Sequence, residues 1–370
     1  MKRNISAILC SMLALSAGSL FGDAQSSNAN KTQTMPVDQG DVMTSSQMPS
    51  GYNHPARVNT TSDWDMFLTA RFLYWDVFQE GMEMGPLYNA NPLLGTTKSL
   101  SVNSLKFKDE YRPGFKVGLG WNTPFDDWVV SAEYTWFQHD INKGQPSNTF
   151  LASYFEFPTG VTNQFITSSH KWNIDLDVVD VMLSRPCYQG TRLTINPSFG
   201  LKGILLNQKY SFTGNTAPIG GVSLNVPKAY VKTDSWAVGP SLGIGGNFLL
   251  GAGFRIMGSA EGALTFTRYN GIKYFFPQIS PTTRSATGQD SAQNRVRAIG
   301  DAQAGFGWGT YLCNQKYHID LSATYEFQIY WNQNMMNSYV ANISAFPSIS
   351  GTSPGNLYFQ GLNVSAVFDF

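Results

Sequence analysis

The feature that most constrains the fold is a strict alternation of apolar and polar residues that persists over long segments. The clearest segment runs from Leu105 to Trp121, and a second runs from Tyr317 to Trp331. Successive side chains of a β-strand point to opposite faces of the sheet, so a period of two predicts strands. These segments have about 14 to 17 residues, whereas strands of soluble proteins usually have about five or six.

Long strands with one apolar and one polar face need lipid on one side and water on the other. A closed transmembrane β-barrel supplies both, and its ladder satisfies every backbone polar group within the membrane. The composition agrees, because only 14% of residues are charged and 14% are aromatic. The alternative is a soluble β-sandwich, which would have shorter strands and more lysine and glutamate on its outer face. The net charge of zero disfavours a nucleic-acid-binding protein.

The same alternation predicts ten antiparallel strands. They cover about 64–78, 105–121, 127–140, 171–185, 191–210, 232–248, 252–269, 294–312, 316–332 and 357–370. Short and long connections alternate between them, as in outer-membrane barrels, whose periplasmic turns are short and whose external loops are long. An even count places both termini in the periplasm. The long loops leave room for further hairpins, so twelve or more strands stay open as an alternative.

The predicted strands carry two further signals. Tryptophans cluster near strand ends, as interfacial girdles do; they are Trp121, Trp128, Trp136, Trp172, Trp308 and Trp331. The apolar phase changes between Leu176 and Val179, which predicts a β-bulge near Val178.

The chain begins with an export signal. Lys2 and Arg3 precede an apolar stretch, and small residues follow at Gly22 and Ala24, which predicts a signal peptide over residues 1–24. Residues 25–63 are polar and predict a flexible periplasmic extension, and the barrel covers 64–370. The last strand ends at Phe370, a signal for the barrel-assembly machinery of the Gram-negative outer membrane.

The polar face of the strands carries the charges that we expect to line a pore. They are Lys106, Lys108, Glu110, Arg112, Lys116, Glu133, Asp175, Asp177, Arg255, Glu261, Arg295, Arg297, Asp301, Asp320 and Glu326. Such charges set ion selectivity in a water-filled bore. The alternative is that they pair across the lumen and plug it, because a barrel of about ten strands is narrow. Acidic and basic residues are nearly balanced, so no selectivity is predicted.

Other candidate sites are weak. Cys187 and Cys313 fall in predicted periplasmic turns, where they could form a disulfide, crosslink to neighbouring proteins or stay free. His139 and His170 flank one predicted outer loop, which keeps a barrel hydrolase as an alternative. The serine-hydrolase pattern from Gly239 to Gly243 lies within a predicted alternating strand and not at the strand-to-helix turn that this chemistry requires, so we interpret it as a coincidence. No His or Cys spacing predicts a metal site, and no cofactor is expected.

Several short motifs resemble a known family. They are Phe72-Leu73-Tyr74-Trp75 with Gly81; Gly114 to Trp121 with Asp127-Trp128; Val178-Val179-Asp180 within 172–185; Pro197, Gly200-Leu201 and Asn207 to Tyr210; Val238-Gly239-Pro240; Tyr317-His318-Ile319, Tyr325 to Gln328 and Trp331 to Asn334; and Gly355 to Leu357 with Gln360 to Leu362. Together they resemble the Legionella major outer membrane protein family, which is also found in chlamydia-like bacteria. The resemblance covers about 64–370 and implies a barrel fold, outer-membrane location and pore formation, without catalytic residues.

The function predicted from these features is passive diffusion of small hydrophilic solutes or ions through a porin-like channel that is not an enzyme. The expected partners are outer-membrane lipid, the assembly machinery and the solutes, with no nucleic acid; a homo-oligomer is compatible with the sequence. The alternative is a non-conducting barrel that serves as an adhesin or as a disulfide-linked envelope structural protein.

Overall fold

Fifteen β-strands account for most of the residues that the computed structural model describes, which are 54–61, 64–88, 103–153, 164–216, 225–276, 285–289, 291–336 and 355–370. They are β1 (Met66–Gln79), β2 (Gly85–Tyr88), β3 (Asn103–Leu105), β4 (Arg112–Asn122), β5 (Val129–Gly144), β6 (Phe150–Ala152), β7 (Gln164–Ser184), β8 (Cys187–Gln189), β9 (Leu193–Thr216), β10 (Asn225–Gly251), β11 (Phe254–Phe276), β12 (Ala286–Gln289), β13 (Gln293–Leu312), β14 (Tyr317–Asn334) and β15 (Gly355–Asp369). The predicted signal peptide and most of the predicted extension lie outside the described residues. Within the described ranges, no helix is long and apolar enough to cross a membrane.

Ten of these strands are long and close into an antiparallel barrel in the order β1-β4-β5-β7-β9-β10-β11-β13-β14-β15. The barrel closes because β1 pairs with β4 on one side and with β15 on the other. Following directly paired residues once around the barrel from Met66 of β1 leads back to β1 at Phe78. The register of the closed sheet is therefore staggered by twelve residues. A stagger of this kind requires the strands to tilt relative to the barrel axis. The predicted ten-stranded barrel is confirmed.

The two faces of the sheet follow the predicted alternation. The outer face is apolar and exposed: Leu242, Val296 and Phe306 are 69%, 70% and 67% accessible. Trp121, Trp136 and Trp331 also lie on this face. Trp172 does not, since it is buried in the lumen, and its assignment to the girdle was wrong. The exposed apolar face satisfies the requirement that a membrane-spanning barrel presents to lipid.

Short turns and both barrel termini lie at the same end of the barrel. The Met66 amide donates to the Phe370 carbonyl, which ties the two termini together at 3.0 Å. The turn between β13 and β14 holds three residues with positive φ, Cys313, Asn314 and Gln315. By the rule for outer-membrane barrels, the end with short turns is periplasmic. The opposite, external end carries the small strands β2, β3 and β6, which pair with one another and, through Leu151 and Phe165, with β7.

Two predictions about strand geometry were wrong. The strand predicted over 105–121 begins at Arg112. Residues 106–111 leave the ladder, where the Glu110 amide donates to Asp76 and Phe107 packs against Trp172.

The bulge predicted near Val178 is absent, because β7 pairs with β5 and β9 without a register shift there. Trp172, Leu176 and Val178 are buried in the lumen, whereas Val179 lies on the other face. The change of apolar phase therefore marks a lumen that becomes apolar toward the external end.

An external clasp joins the first strand to the last. The Tyr358 hydroxyl donates to the Glu80 carboxylate at 2.6 Å, and the Asn356 amide donates to it at 3.0 Å. These two donors hold the pKa of Glu80 below its usual value, since a hydrogen bond to a carboxylate favours the charged form.

Gly361 is required at the seam between β15 and β1. Its φ is +153°, and a Cβ there would lie 2.2 Å from the Tyr74 carbonyl oxygen. We expect Gly361→Ala to lower the free energy of unfolding by about 1–3 kcal/mol, because backbone in a rarely populated region and a displaced ladder both cost stability. Urea unfolding of the refolded barrel in detergent micelles would measure this. Gly144→Ala in β5 is the matched control, since a Cβ added there would meet no atom within 4 Å; an equal loss in both variants would contradict the assignment.

Candidate functional site

Ionisable side chains form a ring around the inner wall of the barrel, about halfway along the lumen. Its members occupy lumen-facing positions on eight strands and are called the charged belt: Arg71, Lys116, Glu133, Asp180, Lys202, Glu261, Asp301 and Glu326. The register places them at one level, since Arg71 pairs with Lys116, Glu133 with Asp180, Asp180 with Lys202, and Glu261 with Asp301. Three of these four cross-strand pairs join like charges, which destabilise a sheet when nothing compensates them.

Opposite charges from other strands compensate each like pair. Lys116 Nζ lies 2.7 Å from Glu326 Oε1, and both side chains are almost fully buried. Lys202 Nζ lies 2.8 Å from Asp180 and 3.0 Å from Glu261. Strands β4 and β14 are separated in the barrel by β1 and β15, so the Lys116–Glu326 pair spans a chord of the lumen. The belt is therefore a network of ion pairs that crosses the bore.

Glu326 is the most fully satisfied carboxylate of the belt. Besides Lys116, it accepts hydrogen bonds from Gln328 at 2.7 Å and from Asn363 at 2.9 Å. Burying an ion pair costs desolvation energy that is recovered only when such additional hydrogen bonds are present.

An apolar layer lies directly on the external side of the belt. Trp75, Phe137 and Phe359 form a triangle, with ring centroids 5.6 to 5.9 Å apart, and each is fully buried. Tyr330 packs on Phe359 at 5.5 Å. Aliphatic side chains from the neighbouring strands complete the layer: Leu73, Leu176, Val178, Ile204, Leu206 and Ile299. Lys116 Nζ lies 5.1 Å from the centre of the Trp75 ring, which joins the layer to the belt.

The periplasmic half of the lumen has a different lining. Its inward positions carry small or polar residues, including Gly118, Ser322, Thr324 and Ser365. Nearer the mouth, Arg255 pairs with Asp320 at 2.7 Å and His318 with Asp369 at 2.8 Å. The lumen is thus polar from the periplasmic mouth to the belt and apolar beyond it.

Residues 54–61, here called the strap, lie against the periplasmic turns. The Ala56 amide donates to the Pro186 carbonyl between β7 and β8, and Arg57 donates to the Thr123 carbonyl between β4 and β5. The Thr61 amide reaches the Gln315 carbonyl between β13 and β14. These turns lie on different sides of the barrel, so the strap crosses the mouth. Backbone hydrogen bonds therefore attach this part of the predicted extension over 25–63 to the barrel.

The predicted pore-lining residues fall into separate groups. Nine lie on the lumen side within the described strands: Arg112, Lys116, Glu133, Arg255, Glu261, Arg297, Asp301, Asp320 and Glu326. Arg297 donates to the Tyr269 hydroxyl at 3.2 Å. Arg295 lies at the exposed external end of β13, where it donates to Gln293.

Five of the predicted residues do not line the bore. Asp175 and Asp177 lie on the outer face, where Asp177 accepts a hydrogen bond from the Tyr134 hydroxyl, because the inward positions of β7 are Ile174, Leu176 and Val178. Lys106, Lys108 and Glu110 precede β4, with Lys106 paired to Glu83 and Glu110 paired to Arg112 at the external end of β4.

The sequence reasoning missed Arg71 and Lys202 as lumen residues. Each lies next to a strongly exposed apolar residue, Phe72 and Leu201, which are 52% and 57% accessible. A charge beside a lipid-facing residue in an alternating strand is the signal that would have placed both on the inner face.

The remaining candidates do not assemble into a catalytic or metal site. His139 bonds to the Glu110 carbonyl and His170 to the Tyr210 hydroxyl, so the two histidines do not pair. Cys187 and Cys313 are both free, with Cys187 buried and Cys313 exposed, so the structure does not contain the disulfide that was one alternative. Within the described ranges, no cluster of His, Cys, Asp and Glu could hold a metal ion.

A family model described as Legionella pneumophila major outer membrane protein precursor matches residues 57–370. The chain belongs to this family. It is therefore an outer-membrane protein, and lipid surrounds the apolar outer face of its barrel. The match covers the strap from Arg57 and every strand of the barrel. No curated protein matches the chain.

Solved structures similar to this family member include the following three proteins. The outer membrane protease OmpT from Escherichia coli is 11% identical with a TM-score of 0.40, covering 85% of this chain and 99% of its own. The translocator domain of the autotransporter NalP from Neisseria meningitidis is 9% identical with a TM-score of 0.34, covering 84% and 90%. A Pseudomonas aeruginosa FadL homologue is 7% identical with a TM-score of 0.23, covering 82% and 89%.

Removing one partner of the buried Lys116–Glu326 ion pair should lower the free energy of unfolding more than removing one partner of an exposed ion pair. We expect Lys116→Met to lower the free energy of unfolding by about 3–5 kcal/mol, because it leaves Glu326 charged and buried. The double variant with Glu326→Leu should recover part of that loss. Lys171→Met is the matched control, since its pair with Asp140 is 3.7 Å long and exposed, and should cost about 0–1 kcal/mol. Urea unfolding measures all three, and equal losses in the two single variants would show that the belt is hydrated.

The strap should shield Cys187 from thiol reagents. Pro55 forms a β-bridge with Cys187, which is 8% accessible, whereas Cys313 is exposed in its turn. We expect a maleimide to modify Cys313 about tenfold or more faster than Cys187 in the single-cysteine variants C10S/C187S and C10S/C313S. Replacing residues 54–61 by a Gly-Ser linker should accelerate modification of Cys187 alone. An unchanged rate after that replacement would show that the barrel itself provides the shielding.

Proposed function

We propose that the protein is a porin-class channel for small hydrophilic solutes or ions and that the state described here is closed. The observation that supports this proposal is the charged belt. Ionisable side chains are costly inside a membrane protein and typically mark the path of an ion or solute. The belt lies at the inner limit of a polar periplasmic vestibule, where a solute entering from the periplasm would first meet it.

The apolar layer supplies the gate in this proposal. A constriction lined by apolar side chains stops conduction by expelling water, even when its radius would admit an ion. Trp75, Phe137 and Phe359 fill the lumen from three different strands, so an opening must move these rings. Conduction would therefore be intermittent rather than continuous.

The belt also supports a selectivity. It contains five carboxylates, on Glu133, Asp180, Glu261, Asp301 and Glu326, but three cationic side chains, on Arg71, Lys116 and Lys202. Excess negative charge at a constriction favours cations. We therefore propose a preference for cations in the open state.

A second candidate function is a non-conducting barrel that acts as an adhesin or envelope scaffold. Two features favour it: the strap crosses the periplasmic mouth, and β2, β3 and β6 add buried apolar residues at the external end. Neither candidate includes catalysis. Among the described residues, buried ionisable groups take part in structural contacts, such as His170 with Tyr210 and Glu326 with Lys116.

Planar-bilayer recording separates the two candidates. We expect the purified protein to show brief openings separated by long closures, with a reversal potential that indicates cation preference in a salt gradient. The variant Phe137→Ala/Phe359→Ala should open more often, because it removes two rings of the gate. Phe266→Ala/Phe327→Ala is the matched control, since both rings face lipid at 44% and 38% accessibility, and should behave as the parent does.

The scaffold candidate predicts a different record. If neither the parent protein nor the variant with the thinned gate shows current steps above those of the empty bilayer, the channel proposal is wrong. Circular dichroism and the heat-dependent shift in gel mobility would establish that the silent samples contain folded barrel.

A further inference from the structure

Three lysines form a row across the outer surface of the barrel near its external end. Lys209 of β9 pairs directly with Lys232 of β10, and Lys232 pairs directly with Lys273 of β11. All three point outward, because the adjacent residues Gln208, Val231 and Ile272 are buried in the lumen. These three residues are called the lysine row. Like charges placed directly opposite one another destabilise a sheet, so the row requires a source of negative charge.

The described chain supplies little of that charge. Lys232 Nζ lies 2.8 Å from Asp234, but Lys209 and Lys273 form no ion pair with a carboxylate of the described residues. Lys209 Nζ instead lies 4.8 Å from the centre of the Tyr230 ring, which holds it against the barrel wall. Lys228, which lies on β10 with Lys232, is exposed and adds further positive charge. The surface is therefore strongly basic where it leaves the apolar band.

The position of the row identifies the environment that it meets. Along β10, the outward residues Ile244, Leu242 and Val238 are exposed and apolar, Trp236 follows, and Lys232 lies four residues beyond Trp236. At about 3.4 Å per residue, this places Lys232 roughly 13 Å further along the strand than the tryptophan. Tryptophan marks the interface of the membrane, so the lysines lie at the level of lipid headgroups. Because the row is at the external end, the headgroups are those of the outer leaflet.

We propose that the lysine row binds the phosphate groups of a phosphorylated glycolipid in the outer leaflet of the outer membrane. A lysine ammonium binds phosphate as a point charge, and three of them on adjacent strands surround one anionic headgroup. The phosphate replaces the counter-charge that the chain lacks, and the acyl chains of the same lipid lie along the apolar band below. This site is on the exterior of the barrel and does not depend on whether the lumen conducts.

Lipid binding to the full-length barrel in detergent micelles tests the proposal. Native mass spectrometry would count bound lipid A molecules on the parent protein and on the variant Lys209→Gln/Lys232→Gln/Lys273→Gln. We expect about tenfold weaker binding, or more, in the variant. The matched control is Lys106→Gln/Lys108→Gln/Lys316→Gln, which removes the same charge from exposed positions away from the row and should bind as the parent does.

Two ligand arms identify what the row recognises. Dephosphorylated lipid A should bind the parent protein weakly, at the level at which phosphorylated lipid A binds the row variant. Comparing the two lipids on the parent protein does not depend on the folding of any variant. Inorganic phosphate at millimolar concentration should not displace the lipid, because it lacks the acyl chains. Equal binding by the parent and the row variant, equal binding of the dephosphorylated lipid, or displacement by inorganic phosphate would each overturn the proposal.

Discussion

The interaction on which the lumen depends is the buried ion pair between Lys116 and Glu326. It joins β4 to β14 across two intervening strands, so it fixes the cross-section of the barrel as well as neutralising two charges. Each partner depends on the other, because an unpaired buried charge in this position would cost several kcal/mol. The packing above it follows, since the Trp75 ring lies over the Lys116 ammonium and anchors the aromatic triangle with Phe137 and Phe359.

The contrast between the two halves of the lumen has a physical consequence for transport. On the periplasmic side, glycine and serine leave the inner wall short of side-chain volume, and small polar linings can hold water. On the external side, large apolar rings pack against one another within the lumen, and an apolar space between them would stay dry. An ion could therefore approach the belt with its hydration shell, but would lose that shell at the aromatic triangle. In the proposed channel, the energetic barrier to conduction would lie at the layer of Trp75, Phe137 and Phe359 and not at the charges.

The alternation in the sequence predicted the barrel because lipid imposes one apolar face on every strand. The same rule could not predict β7 fully, because there the apolar face changes along the strand: Trp172 and Leu176 face the lumen, whereas Val179 and Val181 face lipid. A bulge was the simplest interpretation of two apolar phases, and it followed from assuming that the lumen is polar throughout. The misplacement of Asp175 and Asp177 has the same origin. The pairing of Lys116 with Glu326 depends on strands 210 positions apart in the chain, and no local pattern contains that information.

The charged belt and the lysine row present the same physical problem in two environments. In each, the register of neighbouring strands sets like charges directly opposite one another, as with Glu261 and Asp301 inside and Lys209 and Lys232 outside. Inside, strands across the lumen supply the compensating charge, because a closed barrel brings distant strands within a few ångströms. Outside, the convex wall faces away from every other strand, so no residue of the barrel on the far side can reach the row. The counter-charge of an outward-facing basic row must therefore come from the neighbouring strands or from the surrounding membrane. The neighbouring strands provide Asp234 as a partner for Lys232. Among the described residues, no carboxylate forms an ion pair with Lys209 or Lys273.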